Sequence, residues 1–204
     1  MQIQITNTSG NLERCPDCGI QLQVQTSPSH PYLGASASCW ALYTEVLARE
    51  YSVPALMSSV HRLTVDAYCA QHPGKAERRT IQSVWIHLTG LYLTIELGLA
   101  HDFARRVIGA LTGVAGGLTW LTPPSYLGDF TVIDVASAKS DAEHEELVRL
   151  WAHGVWNAWK THHAEIISLV SRLGICPSPR RISPNRNTQG RDHSQRESSN
   201  SRIE

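Results

Sequence analysis

Cys15, Cys18, His30 and Cys39, near the start of the chain, have the residue types and spacing to hold one metal ion. In Cys15-Pro-Asp-Cys18-Gly two residues separate the thiolates, and Pro16 and Gly19 supply the turn that lets both reach one tetrahedral centre. His30 and Cys39 complete four nitrogen and sulfur donors of the kind Zn2+ prefers, so zinc is the expected cofactor and these four its expected ligands. A redox CxxC of the thioredoxin type wants a preceding strand and a following helix, which this polar N-terminus does not offer. Four protein ligands make a closed, structural site; without His30 the site opens and chemistry at the metal becomes feasible.

A second group of chemistry-bearing side chains lies downstream. On a helix through His61-Arg-Leu-Thr-Val-Asp66-Ala-Tyr68-Cys-Ala-Gln-His72, His61, Tyr68 and His72 share a side. Asp66 lies about 140° round from His61, so a His/Asp pair needs a second element facing it. His87 shares a side with Ser83 on the next helix, and Glu96 points about 180° away. His162 and His163 follow Trp156 and Trp159 on an apolar stripe, where an imidazole needs a metal, a carboxylate such as Asp66, or a backbone carbonyl. The candidate catalytic residues are therefore His61, Asp66, His72, His87 and His163. One imidazole would act as general base, oriented by Asp66, in a hydrolytic or lyase step on a small polar ligand. The reading from another class is a non-enzymatic regulatory or interaction protein with a structural zinc site.

The elements that must position these residues are mainly helical. Residues 1–36 are broken by Pro16, Gly19, Pro28, Pro31 and Gly34 into loops and a short hairpin through Ile20, Leu22 and Val24. Ser38 is expected to cap a helix through Tyr51, and Ser52-Val-Pro54 to open a second that runs to His72-Pro73-Gly74. A third, from about Thr80 to Leu97, carries Ile81, Val84, Leu88, Leu91 and Ile95 on one stripe and is closed by Gly98. A helix at 102–111 and a short one capped by Thr131 follow. The longest is expected from Asp141 to about Leu173, with Val148, Ala152, Val155, Trp159, His162, Ile166 and Val170 on its buried face and Gly174 as its stop. Trp151, Trp156 and Trp159 read as core. The fold class is thus a mainly α helical bundle with an N-terminal loop and short-hairpin zinc knuckle. Its expected organisation is a flexible segment 1–14, one domain 15–174 and a Ser, Pro and Arg-rich disordered tail 175–204.

At 204 residues and 42% hydrophobic the chain can bury a core of its own. Eighteen basic against eighteen acidic residues leave no net field to draw in nucleic acid or an anionic membrane. No stretch reaches the roughly 18 apolar residues of a membrane span, and the first residues lack the pattern of a signal peptide. The cytoplasm is the expected compartment, where clustered cysteines favour metal over disulfide.

The blocks CPDCG, GASASCW with ALYTEVLAREY, HRLTVDAYCAQHPG, QSVWIHLTGLYLTIELG, LTPPSYLGDFTVIDV and WAHGVWNAWKTHH span most of residues 15–163. Through them the chain resembles an uncharacterised family of small bacterial proteins catalogued as a domain of unknown function. The resemblance implies that Cys15, Cys18, Cys39, His61, Asp66, His72, Gln82, His87 and His163 belong to the family pattern, and it implies no reaction. Trp85 departs from that pattern, where a small residue is more usual. The run Trp156-x-x-Trp159-x-x-His162-His163 is also similar to the last motif of metal-dependent bundles of the DinB type, without their ligand spacing.

Overall fold

The computed structural model describes residues 11–99, 109, 111 and 117–174. The expected tail and most of the expected helix at 102–111 lie outside the described residues. The chain is mainly helical, with one two-stranded sheet. Strands β1 (Leu12–Arg14) and β2 (Gln21–Gln23) pair antiparallel, Leu12 opposite Gln23 and Arg14 opposite Gln21. The turn between them is the Cys15 to Gly19 segment, where Gly19 takes φ 77°, a left-handed conformation that suits glycine.

Helix α1 (Ala37–Ser52) is capped by the Ser36 hydroxyl, which accepts from the Cys39 amide at 3.2 Å. Ser38, the expected cap, is instead buried in the first turn, where its hydroxyl accepts from the Gln25 amide. Glu13 on β1 accepts from the Ser38 amide at 2.8 Å, tying the hairpin to the helix start. The helix expected from Pro54 to His72 is two, α2 (Pro54–Ser59) and α3 (His61–Gln71). They meet at Val60, which leaves helical geometry (φ −133°, ψ −15°) with its side chain fully buried.

Helix α4 (Arg78–Leu91) opens with a reciprocal capping box between Glu77 and Thr80 and continues into a π-helical turn, Tyr92–Glu96. That turn seats Leu93 against Val170 in a small second cluster. Helix α5 (Val132–Ala136) is capped by Thr131 as its sequence suggests, with Asp134 completing the box. The long terminal helix is also interrupted: α6 (Asp141–Ala158) gives way at Trp159 to a 3-10 turn (Lys160–His162) and then α7 (His163–Arg172). The buried stripe survives the break at Val148, Ala152, Val155, Trp159, Ile166 and Val170, which all face the core, whereas His162, in the 3-10 turn, is only half-buried.

Helix α3 is the centre of the bundle, packed chiefly on α4 and α6, while α1 covers α5. Trp151, Trp156 and Trp159 are buried, as expected of core residues. Each indole N–H finds an acceptor: Gln71 for Trp151, Glu96 for Trp156 and the Ala70 carbonyl for Trp159. Trp85 is core too, donating to the Thr119 carbonyl at 2.7 Å. No described helix is long and apolar enough to cross a membrane.

Candidate functional site

The hairpin turn, the start of α1 and the end of α3 meet at one point. There Cys15, Cys18, Cys39 and His72 bring one donor atom each within 4.8 Å of one another, a group that can hold a metal ion. Cys39 sits in the first turn of α1, with its sulfur 3.9 Å from Cys18 and 3.4 Å from His72 Nε2. His72 is the residue after α3, at the chain reversal completed by Gly74 (φ 66°). Its Nδ1 lies 2.7 Å from the Tyr68 carbonyl, a bond that makes Nδ1 the donor and turns Nε2 towards the sulfurs.

His72 therefore occupies the place assigned to His30. The His30 ring packs against Tyr32 and Trp40, and its Nδ1 accepts from the Leu33 amide, which keeps it outside the cluster. Spacing alone favoured the nearer histidine; the fold brings in one 33 positions beyond Cys39 because α1 and α3 are packed together.

The surroundings suit anionic sulfur. Cys15 and Cys39 are buried, and the Cys15 sulfur accepts from the Ser36 amide at 3.4 Å. Hydrogen bonds from the Cys18 and Cys39 thiols outweigh burial and hold Cys15 far below the usual thiol range, whereas Cys15, Cys18 and burial push Cys39 up. Burial alone would lower His72, but the Cys15 and Cys18 sulfurs raise it to about 10. A divalent ion bound here would stabilise the thiolate form of all three cysteines. Donors of three sulfurs and one imidazole match the Cys3His set of closed zinc sites. Asp17, inside the CxxC, accepts from the Gly74 amide at 2.8 Å and clamps the knuckle to the loop that carries His72. A Cβ at Gly34 would overlap the Asp17 carboxylate, so that position requires glycine.

The five candidate catalytic residues do not converge on one cleft. His72 belongs to the cysteine cluster. His61 Nδ1 lies 2.8 Å from Glu50, a buried carboxylate that also meets Thr64 and, at 2.9 Å, His144. Burial would raise Glu50, but hydrogen bonds from His144, His61 and Thr64 hold it below the ordinary carboxylate range. His163 stacks on Trp156 with ring centres 3.6 Å apart, and its Nε2 meets the Trp156 carbonyl at 2.9 Å, so it closes the end of α6 rather than lining a cleft. His162 joins Glu165 and the Thr122 carbonyl.

Only Asp66 and His87 come together. Asp66 is fully buried, held by both arms of Arg62 at 2.7 Å, and contacts His87 Nδ1 at 2.8 Å. Burial works against a charge on His87, but the Cys69 thiol and the Asp66 carboxylate raise it to about 9. At neutral pH this imidazole is therefore protonated, a proton donor and a cation rather than a general base. It opens on a cavity of about 280 Å³ lined by Tyr32, Arg79, Gln82, Ser83, Ile86 and His87. All but Tyr32 fall on one face of α4, the side that Ser83 and His87 already share by helical spacing.

Glu50, Thr64 and His144 form a network that spacing arguments passed over. Their signal was present: Glu50 continues the stripe Cys39, Tyr43, Val46 of α1, and His144 precedes Val148 and Trp151 of α6, each a polar residue on a buried face.

Residues 13–160 match a family described as a family of unknown function (DUF5946). The matched segment contains the Cys3His cluster, the Glu50 network and the Asp66 and His87 pair, and ends before His162 and His163. No curated protein and no solved structure matches the chain.

Proposed function

The chain belongs to this family of unknown function, and we propose that it is a zinc-fastened helical protein that binds a small polar ligand on the exposed face of α4. The single observation behind the zinc reading is the convergence of Cys15, Cys18, Cys39 and His72 from three separate elements. Three thiolates and an imidazole are a zinc set by donor chemistry, and four protein donors leave no position for substrate. The role of the ion is then structural. It pins the hairpin and the turn after α3 to the start of α1, next to the helix that carries Asp66. Free thiols in this arrangement suit a reducing compartment such as the cytoplasm.

The dispersal of His61, His72 and His163 into structural roles favours ligand binding over a hydrolase or lyase built on all five candidates. A proton-transfer step in the α4 pocket would use His87 as the acid, with Asp66 positioning it.

Metal analysis of purified protein tests the zinc reading. One zinc per chain is expected, lost in Cys39→Ser and His72→Ala and kept in His30→Ala. Cobalt substitution should give the intense visible bands of tetrahedral thiolate coordination. Retention of zinc by His72→Ala with loss in His30→Ala would reject this ligand set.

A further inference from the structure

The face of α4 that opens on the cavity has an unusual chemical makeup. Arg79 and the protonated His87 are both cationic, and no carboxylate is among the six lining residues. Asp66, which supplies His87 with its counter-charge, is buried behind the imidazole and taken up by Arg62. The Arg79 guanidinium and the Gln82 amide have no protein partner among the described residues. Ser83 is 7% exposed, and its hydroxyl is buried without a hydrogen-bond partner at the cavity wall. A helical serine ordinarily returns its hydroxyl to the carbonyl one turn back, so an orphan hydroxyl here is a donor held in reserve.

From this we infer that the α4 pocket binds a compact anion, a small carboxylate or phosphate, with Arg79 and His87 supplying charge and Gln82 and Ser83 supplying hydrogen bonds. The inference rests on the ligand-binding reading given above and names the class of ligand. Size agrees with it: about 280 Å³ lies just below the range of roughly 300–1,000 Å³ usual for small-molecule pockets. The construction behind His87 agrees as well. The groups facing its ring are Asp66, Cys69 and, through Asp66, Arg62 on α3, and the carboxylate and thiol both favour the charged imidazole. A guanidinium and an imidazolium on one face of α4 suit an oxyanion, since both donate and neither accepts.

The test is titration of the zinc-loaded protein, followed by amide and histidine side-chain NMR shifts, with malonate and with inorganic phosphate. Tetramethylammonium and glycerol serve as cationic and neutral probes. Saturable shifts at Gln82, Ser83 and His87 with either anion are expected, and comparison of the two separates a carboxylate from a phosphate site. Arg79→Gln and His87→Gln should each weaken binding at least tenfold, and Ser83→Ala several-fold with the fold intact. Equal anion affinity in Arg79→Gln and the parent would overturn the inference. Saturation by tetramethylammonium or glycerol alone would overturn the anion but keep the pocket as a ligand site, whereas no response to any probe would remove both.

Discussion

Gly90 lies where α4 crosses Asp66, and a Cβ there would overlap the carboxylate oxygen. That carboxylate is held by Arg62 and His87 and cannot swing away. Gly90→Ala gains about 1 kcal/mol of helix propensity, set against an overpacking cost of about 1–3 kcal/mol. A net loss of up to about 2 kcal/mol is expected, read as a lower urea midpoint, because the carboxylate at this contact is held on both sides. His87 itself predicts a pH dependence. Its folded value, about 9, lies above the unfolded value near 6.5, so its contribution to stability is complete below about 6.5 and lost as pH rises through 9. Stability of the parent should therefore fall more steeply between pH 6.5 and 9 than that of His87→Gln, a difference measurable by denaturant unfolding across that range. Glu50 has the opposite sign: its folded value is depressed, so what it contributes is present above the ordinary carboxylate range and disappears in acid. Glu50→Gln should flatten the acid limb of the same profile.

Among the elements, Gln71 joins three of them at the end of α3. Its amide donates to the Leu127 carbonyl at 3.1 Å and the Phe130 carbonyl at 2.9 Å, and its oxygen accepts from Trp151 on α6. Gln71→Leu leaves the buried Leu127 carbonyl and the Trp151 indole N–H unpaired, at about 1–3 kcal/mol for each such group, and frees the half-buried Phe130 carbonyl. A large fall in melting temperature should follow, with helical circular dichroism retained below the transition. The same elements mark what sequence could and could not reveal. Periodicity found the buried stripes of α4 and α6, and the Thr131 cap was readable from residue type. The interruptions at Val60 and Trp159 were not, because both residues keep the apolar pattern running while the backbone turns. Trp159 leaves the helix to place its N–H on Ala70, a long-range bond that no local window contains. The fourth sulfur-cluster donor was misassigned for the same reason. His30 was close in sequence, and His72 is close only once α1 and α3 have packed.

For the whole molecule, the cluster with an ion bound would be a crosslink between the N-terminal hairpin and the helical bundle. The hairpin contributes little burial of its own: Leu12 is 58% exposed and Val24 54%. Stripping the metal with a chelator should therefore loosen the hairpin first. Cleavage after Arg14 by trypsin is expected to accelerate on chelation and to slow again when zinc is restored, while the melting temperature falls by several degrees. Unchanged cleavage would mean that the Glu13 and Asp17 contacts hold the hairpin unaided.

The order of the four donors along the chain also bears on how the protein is made. Three sulfurs lie within the first 39 residues, and the imidazole follows 33 positions later, beyond α1, α2 and α3. As the chain leaves the ribosome the three thiols emerge before His72, so an ion would meet them first. Closing the longer loop costs little extra, since each doubling of length adds only about 0.6 kcal/mol. Metal capture would precede completion of the bundle, and a chain synthesised under zinc limitation would be delayed at its first step rather than its last.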